Sequence, residues 1–370
     1  MADWIPVTRP AIDSAEIEAV SAVLASGFLV QGPVVAEFER QVAQVSGTQH
    51  AVALTNCTVA LHVALLALGI GRGDLVLVTP YSWVATANVI ELCGAVPVFV
   101  DIDPGTFNID ADLVAQLLSS EAGRSIKAIM PVHTFGNPAG IESIVALARQ
   151  HSIPIVEDAA CALGATSNGH PAGSFGTIGC FSFHPRKIIT TGEGGMLVTD
   201  DDALATFARS YRNHGQQVID GVTQFAITGN NLRITEFQGA IGVAQMAKLP
   251  TLVEQRSTLA ARYDRLLPPL GVVPQVRSEG AAVQSYVCLV PQHIVATEVI
   301  AVLRVDGVEA TIGTVAIPFT QHYRRRYGLT ETQLPVTAML RDRALTLPLF
   351  PGMTSAQQDD VVAALARALS

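Results

Sequence analysis

Residues 153–161 read IPIVEDAAC, an apolar run rich in β-branched residues that ends in two acidic residues and then in small ones. Such a run predicts a buried strand over 153–157. Ligands of open α/β sheets bind outside the carboxyl ends of the strands, which is where Asp158 falls. Taken alone, however, Asp158 fits a helix N-cap or a solvated loop acid about as well as a ligand-binding carboxylate.

The chain around this stretch repeats the order of short apolar strand, loop and helix from Ala51 onwards. Unbroken apolar runs such as VPVFV (96–100) suit a sheet that is covered on both faces. The predicted strands are 51–54, 75–79, 96–100, 126–132, 153–157, 178–183 and 195–199, and the predicted helices are 57–68, 83–93, 110–119, 140–151 and 201–212. This order predicts an α/β core with a largely parallel central sheet.

Two regions flank this core. Before it, Asp13 and Glu16 form a capping-box pattern that predicts a helix ending at Gly27, and Pro33 opens a second helix. After it, the pattern predicts a helix near 233–247, a break at Lys248-Leu249-Pro250, a helix over 251–267, strands near 285–291 and 308–312, and helices near 337–345 and 355–369. We therefore predict a large domain over residues 1–248 and a small C-terminal α+β domain over residues 249–370.

The composition narrows the class of protein. Apolar residues make up 49% of the 370 residues and charged residues 15%, which excludes wholesale disorder. A net charge of −9 argues against nucleic-acid binding. No apolar run approaches the length of a membrane span, and the N-terminus does not resemble a signal peptide. The five scattered cysteines lack metal-ligand spacing, so we expect a cytoplasmic protein with reduced thiols, no membrane partner and no metal.

A second informative stretch is FSFHPRKIITTGEGG (181–195), which sets Lys187 beside two isoleucines. A lysine in apolar surroundings is expected to lose part of its preference for the charged form, and a neutral amine is a nucleophile. A strand-end aspartate and a later lysine fit pyridoxal phosphate chemistry, in which the lysine forms a Schiff base and the carboxylate keeps the pyridine nitrogen protonated. Alone, Lys187 would more often be an ordinary surface lysine.

Other residues could hold the phosphate and ring of such a cofactor. Residues 55–58, TNCT, lie between a predicted strand and a predicted helix, where free backbone N–H groups can hold an anion. Thr58 and Ser182 can add hydroxyl groups, and Trp83 could stack on a flat ring or pack in the core. The glycines of GIGRG (69–73) follow a predicted helix and precede a strand, the reverse of a dinucleotide-binding loop, so an oxidoreductase is disfavoured.

Together, several stretches resemble the DegT/DnrJ/EryC1/StrS family of sugar aminotransferases, and the resemblance covers nearly the whole chain. They are SGFLVQGPVVAEFE (26–39), TNCTVALHVALLALGIGRGD (55–74), TPYSWVATANVI (79–90), VEDAACALGA (156–165), FSFHPRKIITTGEGGMLVTDD (181–201), RNHG (212–215), GNNLRITEFQGAIG (229–242) and LPLFPGMT (347–354). The strand-end ED, the FSFHPxK segment and GNNxRxTExQ are highly specific in combination.

The resemblance implies an aspartate-aminotransferase-like fold of type I, a homodimer with shared active sites, and pyridoxal 5′-phosphate as cofactor, with pyridoxamine phosphate as its intermediate form. By matching motif, Lys187 would be the Schiff-base lysine and Asp158 the partner of the pyridine nitrogen. Thr58 and Ser182 would hold the phosphate, and Trp83 would stack on the ring.

Three positions extend or depart from the family pattern. Asn231 would reach the phosphate from the neighbouring subunit, although Gly229-Asn230-Asn231 is also good turn chemistry. Cys161 stands where the family usually has glutamine or histidine, and Cys57 replaces a glycine. Whether the residue at position 161 makes a polar contact to the cofactor therefore stays open.

The activity implied by the resemblance is a two-stage transamination. Glutamate would give its amino group to the cofactor, and a 3- or 4-keto-sugar nucleotide would then accept it, giving an amino-sugar nucleotide for glycan, polysaccharide or secondary-metabolite synthesis. His322, Tyr323, Arg324 and Tyr327 are candidate contacts to the sugar nucleotide, and a solvated basic loop explains the arginine equally well. The alternatives are a sugar dehydratase, disfavoured because such relatives replace the lysine with histidine, and a regulatory protein that binds the cofactor without turnover.

Overall fold

The structure is a computed structural model that describes residues 4–370. Its helices are α1 (Ser14–Ser26), α2 (Pro33–Ser46), α3 (Cys57–Ala67), α4 (Ala85–Leu92), α5 (Ala111–Ser119), α6 (Ile141–His151), α7 (Asp202–Tyr211), α8 (Glu236–Leu266), α9 (Ala296–Val305), α10 (Gln321–Tyr327), α11 (Pro335–Arg343) and α12 (Ser355–Ala368). Its strands are β1 (His50–Leu54), β2 (Leu75–Val78), β3 (Val96–Phe99), β4 (Ile126–Met130), β5 (Val156–Asp158), β6 (Thr166–Ser167), β7 (His170–Pro171), β8 (Ile178–Ser182), β9 (Gly195–Thr199), β10 (Gln216–Ile219), β11 (Val222–Phe225), β12 (Val273–Pro274), β13 (Tyr286–Leu289), β14 (Thr311–Ile312) and β15 (Ala344–Leu347).

The central sheet is made of two hydrogen-bonded sets, β3-β2-β4 and β1-β9-β8-β5. Parallel bridges from Ile129 to Ile155 and from Val132 to Asp158 join β4 to β5 and make the two sets continuous. The strands run parallel except β9, which pairs antiparallel with both β1 and β8. Because apolar strands such as β9 are buried along their whole length, the sheet is covered on both faces. The prediction of an α/β core with a mostly parallel sheet is confirmed, and β5 lies one to three residues later than predicted.

The predicted helix before the core is confirmed, including its ends. The Asp13 side chain accepts a hydrogen bond from the backbone N–H of Ala15, and the Glu16 carboxylate accepts one from the N–H of Asp13. Gly27 ends the helix with a φ of 74°, a left-handed conformation that glycine adopts without a steric penalty.

The predicted helix break at Lys248-Leu249-Pro250 is wrong, because α8 runs without interruption from Glu236 to Leu266. An internal proline removes one helical hydrogen bond and normally kinks or ends a helix. Here Leu249 and Leu252 pack into the core around β1, β8 and β9, and Tyr263 packs into a second core formed by the C-terminal part. The burial of side chains before and after Pro250 therefore outweighs the tendency of proline to kink or end a helix. The division into domains at residues 248 and 249 stays a prediction, and α8 crosses it.

The C-terminal part forms the predicted small α+β unit, with a sheet in the order β12-β13-β15-β14 and the helices α9 and α12. The predicted helix over 337–345 is wrong at its end: α11 stops at Arg343 and β15 begins at Ala344. All four residues of β15 are buried, because this strand lies between β13 and β14. The first described residues also pack here, since Ile5 bridges to Val308. Across residues 4–370, no helix is both long enough and apolar enough to cross a bilayer.

Candidate active site

A cleft of about 770 Å³ opens where the carboxyl ends of the parallel strands meet the C-terminal part of the chain. Five of the six predicted site residues line it, namely Thr58, Trp83, Asp158, Ser182 and Lys187. They lie at the ends of four strands of the central sheet, β1, β2, β5 and β8, or in the connections that follow them. The fold therefore brings together residues that are up to 129 positions apart in the chain.

Lys187 is distinguished from the other lysines by its location. The chain has three lysines. Lys127 lies exposed on β4, and the Nζ of Lys248 forms ion pairs with Asp13 and Glu16 at 2.9 and 2.7 Å. Lys187 is half-buried and lines the cleft. It is therefore the lysine of this chain that is placed for covalent amine chemistry.

The electrostatic state of Lys187 differs from the sequence-based expectation. Burial by itself lowers the pKa of this amine, but the neighbouring thiols of Cys161 and Cys57 and the carboxylate of Asp158 outweigh that effect and raise the pKa. The Nζ of Lys187 donates a hydrogen bond to the Sγ of Cys161 at 3.0 Å. The expected loss of positive charge is thus wrong for the chain without cofactor, because the apolar surroundings contain anionic and sulfur groups.

Asp158 is the last residue of β5, and its carboxylate is buried at the floor of the cleft. Its Oδ2 accepts a hydrogen bond from the Oγ1 of Thr86 at 2.7 Å, and its Oδ1 accepts one from the backbone N–H of Ala160 at 3.2 Å. Burial nevertheless raises the pKa of Asp158, and these two hydrogen bonds together with Lys187 only partly oppose it. A carboxylate in this state gains from a cationic partner.

Thr86 is a site residue that sequence reasoning missed. It lies in the first turn of α4, is buried, and also hydrogen-bonds the Ser82 hydroxyl at 3.0 Å. The available signal was two hydroxyl side chains four residues apart on either side of Trp83, the spacing of one helical turn. That spacing does not indicate which acidic side chain the two hydroxyl groups contact.

The N-terminus of α3 forms an anion site at the edge of the cleft. The side chain of Asn56 caps this helix by accepting a hydrogen bond from the N–H of Val59. The N–H groups of Cys57 and Thr58 belong to the first turn and have no intrahelical acceptor. Gly195 packs directly beneath them: a Cβ at this position would lie 2.5 Å from the backbone nitrogen of Cys57. The close packing of β9 fixes where these N–H groups point.

The remaining predicted residues fall into two groups. Ser182 ends β8 beside the anion site, and Trp83 stands just before α4 with 67% of its surface exposed, which excludes core packing for this side chain. Asn231 does not line the cleft: it is exposed and pairs with Asn213 at the base of the β10–β11 hairpin. The chain alone therefore does not bring Asn231 to the other five.

The candidate sugar-nucleotide contacts on α10 are held by α4. His322 and Tyr327 both hydrogen-bond the carboxylate of Glu91, and the hydroxyl of Tyr323 donates to Asn88. Arg324 lies on the same short helix. These side chains fix α10 against α4, and the cleft lining does not include them.

The other acidic residue of the strand-end ED pair, Glu157, has a structural role. Glu157 is fully buried, contacts the Nε2 of His133 at 2.7 Å, and accepts backbone hydrogen bonds from Gly173 and Gly176. It therefore fixes the loop before β8. Within residues 4–370 no group of three or more His, Cys, Asp or Glu side chains is arranged to hold a metal ion.

The chemistry of these residues fits pyridoxal 5′-phosphate. The cleft offers an amine for the aldehyde, a buried carboxylate that needs a cation for the pyridine nitrogen, and unpaired N–H groups with two hydroxyls for the phosphate. An exposed indole stands at the rim to cover the ring. The site can thus hold a charged, flat cofactor in a defined orientation.

The chain is similar to known proteins in sequence and in fold. Residues 10–366 match the model of the DegT/DnrJ/EryC1/StrS aminotransferase family. The aminotransferase TlmJ from Streptoalloteichus hindustanus is 31% identical, with a TM-score of 0.91 over 99% of this chain and 98% of that one. Helicobacter pylori PseC, an aminotransferase involved in the biosynthesis of pseudoaminic acid, is 26% identical, with a TM-score of 0.92 over 99% of each chain.

A third similar structure bears on the cofactor. A protein from Streptococcus pneumoniae named as a sugar aminotransferase is 26% identical over 99% of each chain, with a TM-score of 0.92, in its PMP form. The same protein has also been solved in a PLP form. These neighbours confirm the predicted aminotransferase fold of type I.

Proposed function

The chain belongs to the DegT/DnrJ/EryC1/StrS aminotransferase family, and from this premise we propose that it moves an amino group from glutamate to a keto-sugar nucleotide. Its cofactor is pyridoxal 5′-phosphate. The proposed acceptor carries its keto group at the 3- or 4-position of the sugar, and the proposed product is an amino-sugar nucleotide for glycan, polysaccharide or secondary-metabolite synthesis. The names of two of the similar proteins, which refer to a sugar aminotransferase and to pseudoaminic acid, support a sugar acceptor.

One observation carries the proposal: of the three lysines, Lys187 is the one in a single cleft with Asp158 and the N-terminus of α3. When bound, pyridoxal phosphate supplies an electron-accepting ring that stabilises a carbanion beside the transferred nitrogen. Lys187 moves the proton that this chemistry requires. Its Nζ takes the proton from the Cα of the amino acid and donates it again within the same half-reaction. The acceptor half-reaction uses these steps in reverse.

Asp158 holds the proton on the pyridine nitrogen. Burial makes its isolated carboxylate unfavourable, so a cationic N–H beside it is strongly favoured. Thr86 orients the carboxylate by donating to Oδ2, which leaves Oδ1 with only the long hydrogen bond from Ala160. The pair therefore acts as a fixed anion aimed into the cleft.

The opposite end of the cofactor is held by α3. The N–H groups of Cys57 and Thr58 and the hydroxyls of Thr58 and Ser182 supply donors for the phosphate, and the helix dipole favours its negative charge. Trp83 would cover one face of the bound ring and exclude water from it. With both ends held and one face covered, the ring would be oriented relative to Lys187.

We further propose a homodimer in which Asn231 completes the phosphate site of the partner. The β10–β11 hairpin next to Asn231 exposes apolar side chains, and 72% of Phe225 is accessible in the isolated chain. Phe28, in the connection between α1 and α2, is exposed to 71%. Exposed apolar groups of this size indicate a surface that is covered by another protein. The free cysteines favour the cytoplasm, where thiols stay reduced.

The test is a screen of 3-keto and 4-keto sugar nucleotides with glutamate, in which the amino-sugar product is followed by mass spectrometry. We expect amination of one acceptor class by the wild-type holoenzyme and a loss of at least about a hundredfold in Lys187→Ala. Lys127→Ala is the matched control, because Lys127 is exposed outside the cleft. Full activity in Lys187→Ala would contradict the assignment, and bound cofactor without turnover on any acceptor would favour the regulatory alternative.

A further inference from the structure

The sulfur of Cys161 contacts the amine on which the proposed reaction depends. Its Sγ accepts a hydrogen bond from the Nζ of Lys187 at 3.0 Å, the one side-chain hydrogen bond found for this amine within residues 4–370. The contact was not foreseen from the sequence, which indicated only that position 161 departs from the family pattern.

The backbone around Cys161 fixes its position. The turn after β5 is closed by a hydrogen bond from the N–H of Ala162 to the carbonyl of Ala159 at 2.8 Å. Gly136 allows this turn to come close, because a Cβ there would lie 2.7 Å from the carbonyl oxygen of Cys161. The backbone that carries the thiol is therefore held by its neighbours.

Cys161 is also the accessible thiol of this region. Cys57 and Cys180 are buried, and burial raises the pKa of both thiols well above their usual range. Cys161 is only partly buried and lines the cleft. Of these three cysteines, Cys161 is the one that is not buried.

Lys187 needs a group that takes its proton. Burial lowers the pKa of its amine, but Cys161, Cys57 and Asp158 outweigh burial and raise it, so the amine of the cofactor-free chain carries a proton and has no free electron pair. The groups near it are Asp158 from β5, Cys57 from α3, and His184 from its own loop. Asp158 is engaged by Thr86 and Ala160, and Cys57 is buried.

We propose that Cys161 is a proton acceptor for Lys187, an inference that rests on the proposed role of that lysine. The step requires Cys161 in its thiolate form: one N–H bond of Nζ breaks and an S–H bond forms at Sγ, so the ammonium becomes an amine and the thiolate becomes a thiol. The electron pair left on Nζ becomes free to attack a carbonyl carbon. No group is oxidised or reduced, and the proton returns to Nζ when the amine is released.

The first test measures how fast the cofactor-free, full-length chain takes up pyridoxal phosphate, followed by the visible absorbance of the bound cofactor. We expect Cys161→Ala and Cys161→Ser both to slow uptake by about a hundredfold, because the serine hydroxyl accepts a hydrogen bond but is not a base near neutral pH. Cys93→Ser, which changes a thiol outside the cleft, keeps the wild-type rate. An unchanged rate in either Cys161 variant would overturn the proposal.

The second test measures the Nζ–Sγ neighbourhood in solution without any activity. Ortho-phthalaldehyde joins an adjacent amine and thiol into a fluorescent isoindole, with loss of two molecules of water and no change of oxidation state. We expect the cofactor-free wild type and Cys93→Ser to form it, and Cys161→Ala, Cys161→Ser and Lys187→Ala to form none. Absence of the isoindole in the wild type would overturn the inference.

The two proposals fail in different ways. Covalent uptake of pyridoxal phosphate by Lys187→Ala would contradict the role of Lys187, whereas normal uptake by Cys161→Ala would contradict the role of Cys161 alone. Thermal unfolding of each cofactor-free variant shows whether it folds. If Cys161→Ala is unstable, Cys161→Ser preserves the size of the side chain and gives the same comparison.

Discussion

At the scale of single residues, Asp158 shows how a functional group can lower the stability of the cofactor-free protein. Its carboxylate is buried at the end of β5, and burial raises its pKa above the ordinary 3.8 in spite of two hydrogen bonds. As the pH rises through the ordinary pKa, the unfolded chain releases its proton before the folded chain does. The folded state therefore loses stability over this interval, and the loss is complete above the folded pKa.

We predict that Asp158→Asn stabilises the cofactor-free chain near pH 7 while it abolishes function. The amide is neutral at every pH, so the unfolding free energy should exceed that of the wild type at neutral pH and the difference should vanish in acid. Amino transfer should fall by at least about a hundredfold, since the pyridine nitrogen loses its anionic partner. Urea unfolding at several pH values, with a parallel activity assay, checks this. A variant that is less stable at pH 7 would contradict the burial argument.

The positions of Lys187, Asp158, Thr58 and Ser182 were predictable because each ends or follows a strand in a recognisable motif. Strand ends meet at one edge of a parallel sheet. Thr86 was not, because its role depends on how closely α4 approaches β5. The raised pKa of Lys187 could not be predicted either, because it arises from side chains of other segments that the fold brings close to this lysine.

At the scale of elements, the anion site depends on the packing of β9 under the first turn of α3. Gly195 leaves room for the helix, because a Cβ there would overlap the carbonyl carbon of Asn56 and lie 2.5 Å from the nitrogen of Cys57. Both of these atoms belong to the backbone, so they can make room for a Cβ only if the first turn of α3 moves. The strand β9 thus sets the positions of the N–H groups of Cys57 and Thr58, although these groups do not belong to it.

We predict that Gly195→Ala weakens binding of pyridoxal phosphate by about tenfold or more, equivalent to about 1.4 kcal/mol, because the N–H groups of Cys57 and Thr58 are displaced. Gly71→Ala is the matched control, since a Cβ at Gly71 meets no atom within 4 Å and its φ is not in the left-handed range. Equilibrium titration of both cofactor-free variants gives the affinities. Equal affinity of Gly195→Ala and the wild type would show that β9 does not fix the site.

Strands and helices of the core were predictable because their apolar periodicity is local. Pro250 misled the prediction of α8, because its effect on the helix is decided by the burial of Leu249 and Leu252 in the core around β1, β8 and β9. The start of β15 at Ala344 was missed for a similar reason: its residues are apolar enough to continue a helix, and pairing with β13 and β14 decides the outcome.

At the scale of the whole molecule, the isolated chain accounts for five of the six predicted site residues and leaves Asn231 outside the cleft. The exposed apolar hairpin beside it suggests that a second copy supplies what is missing. In that arrangement each active site takes Lys187 from one chain and Asn231 from the other.

We predict that Lys187→Ala and Asn231→Ala, each impaired alone, restore activity when they are mixed under conditions that allow subunit exchange. A mixed dimer contains one site with native Lys187 and native Asn231, and a second site that lacks both. The assay is amino-sugar formation before and after mixing, with sedimentation velocity to establish the dimer. No recovery in a proven mixed dimer would contradict shared sites.

The central claim, that Lys187 bonds the cofactor in this cleft, can be tested directly because the chain has only three lysines. The holoenzyme is reduced with borohydride and digested, and the cofactor-derived mass is located by tandem mass spectrometry. We predict this mass on Lys187, with Lys127 and Lys248 unmodified. A cofactor-derived mass on either of those two lysines, with Lys187 unmodified, would contradict it.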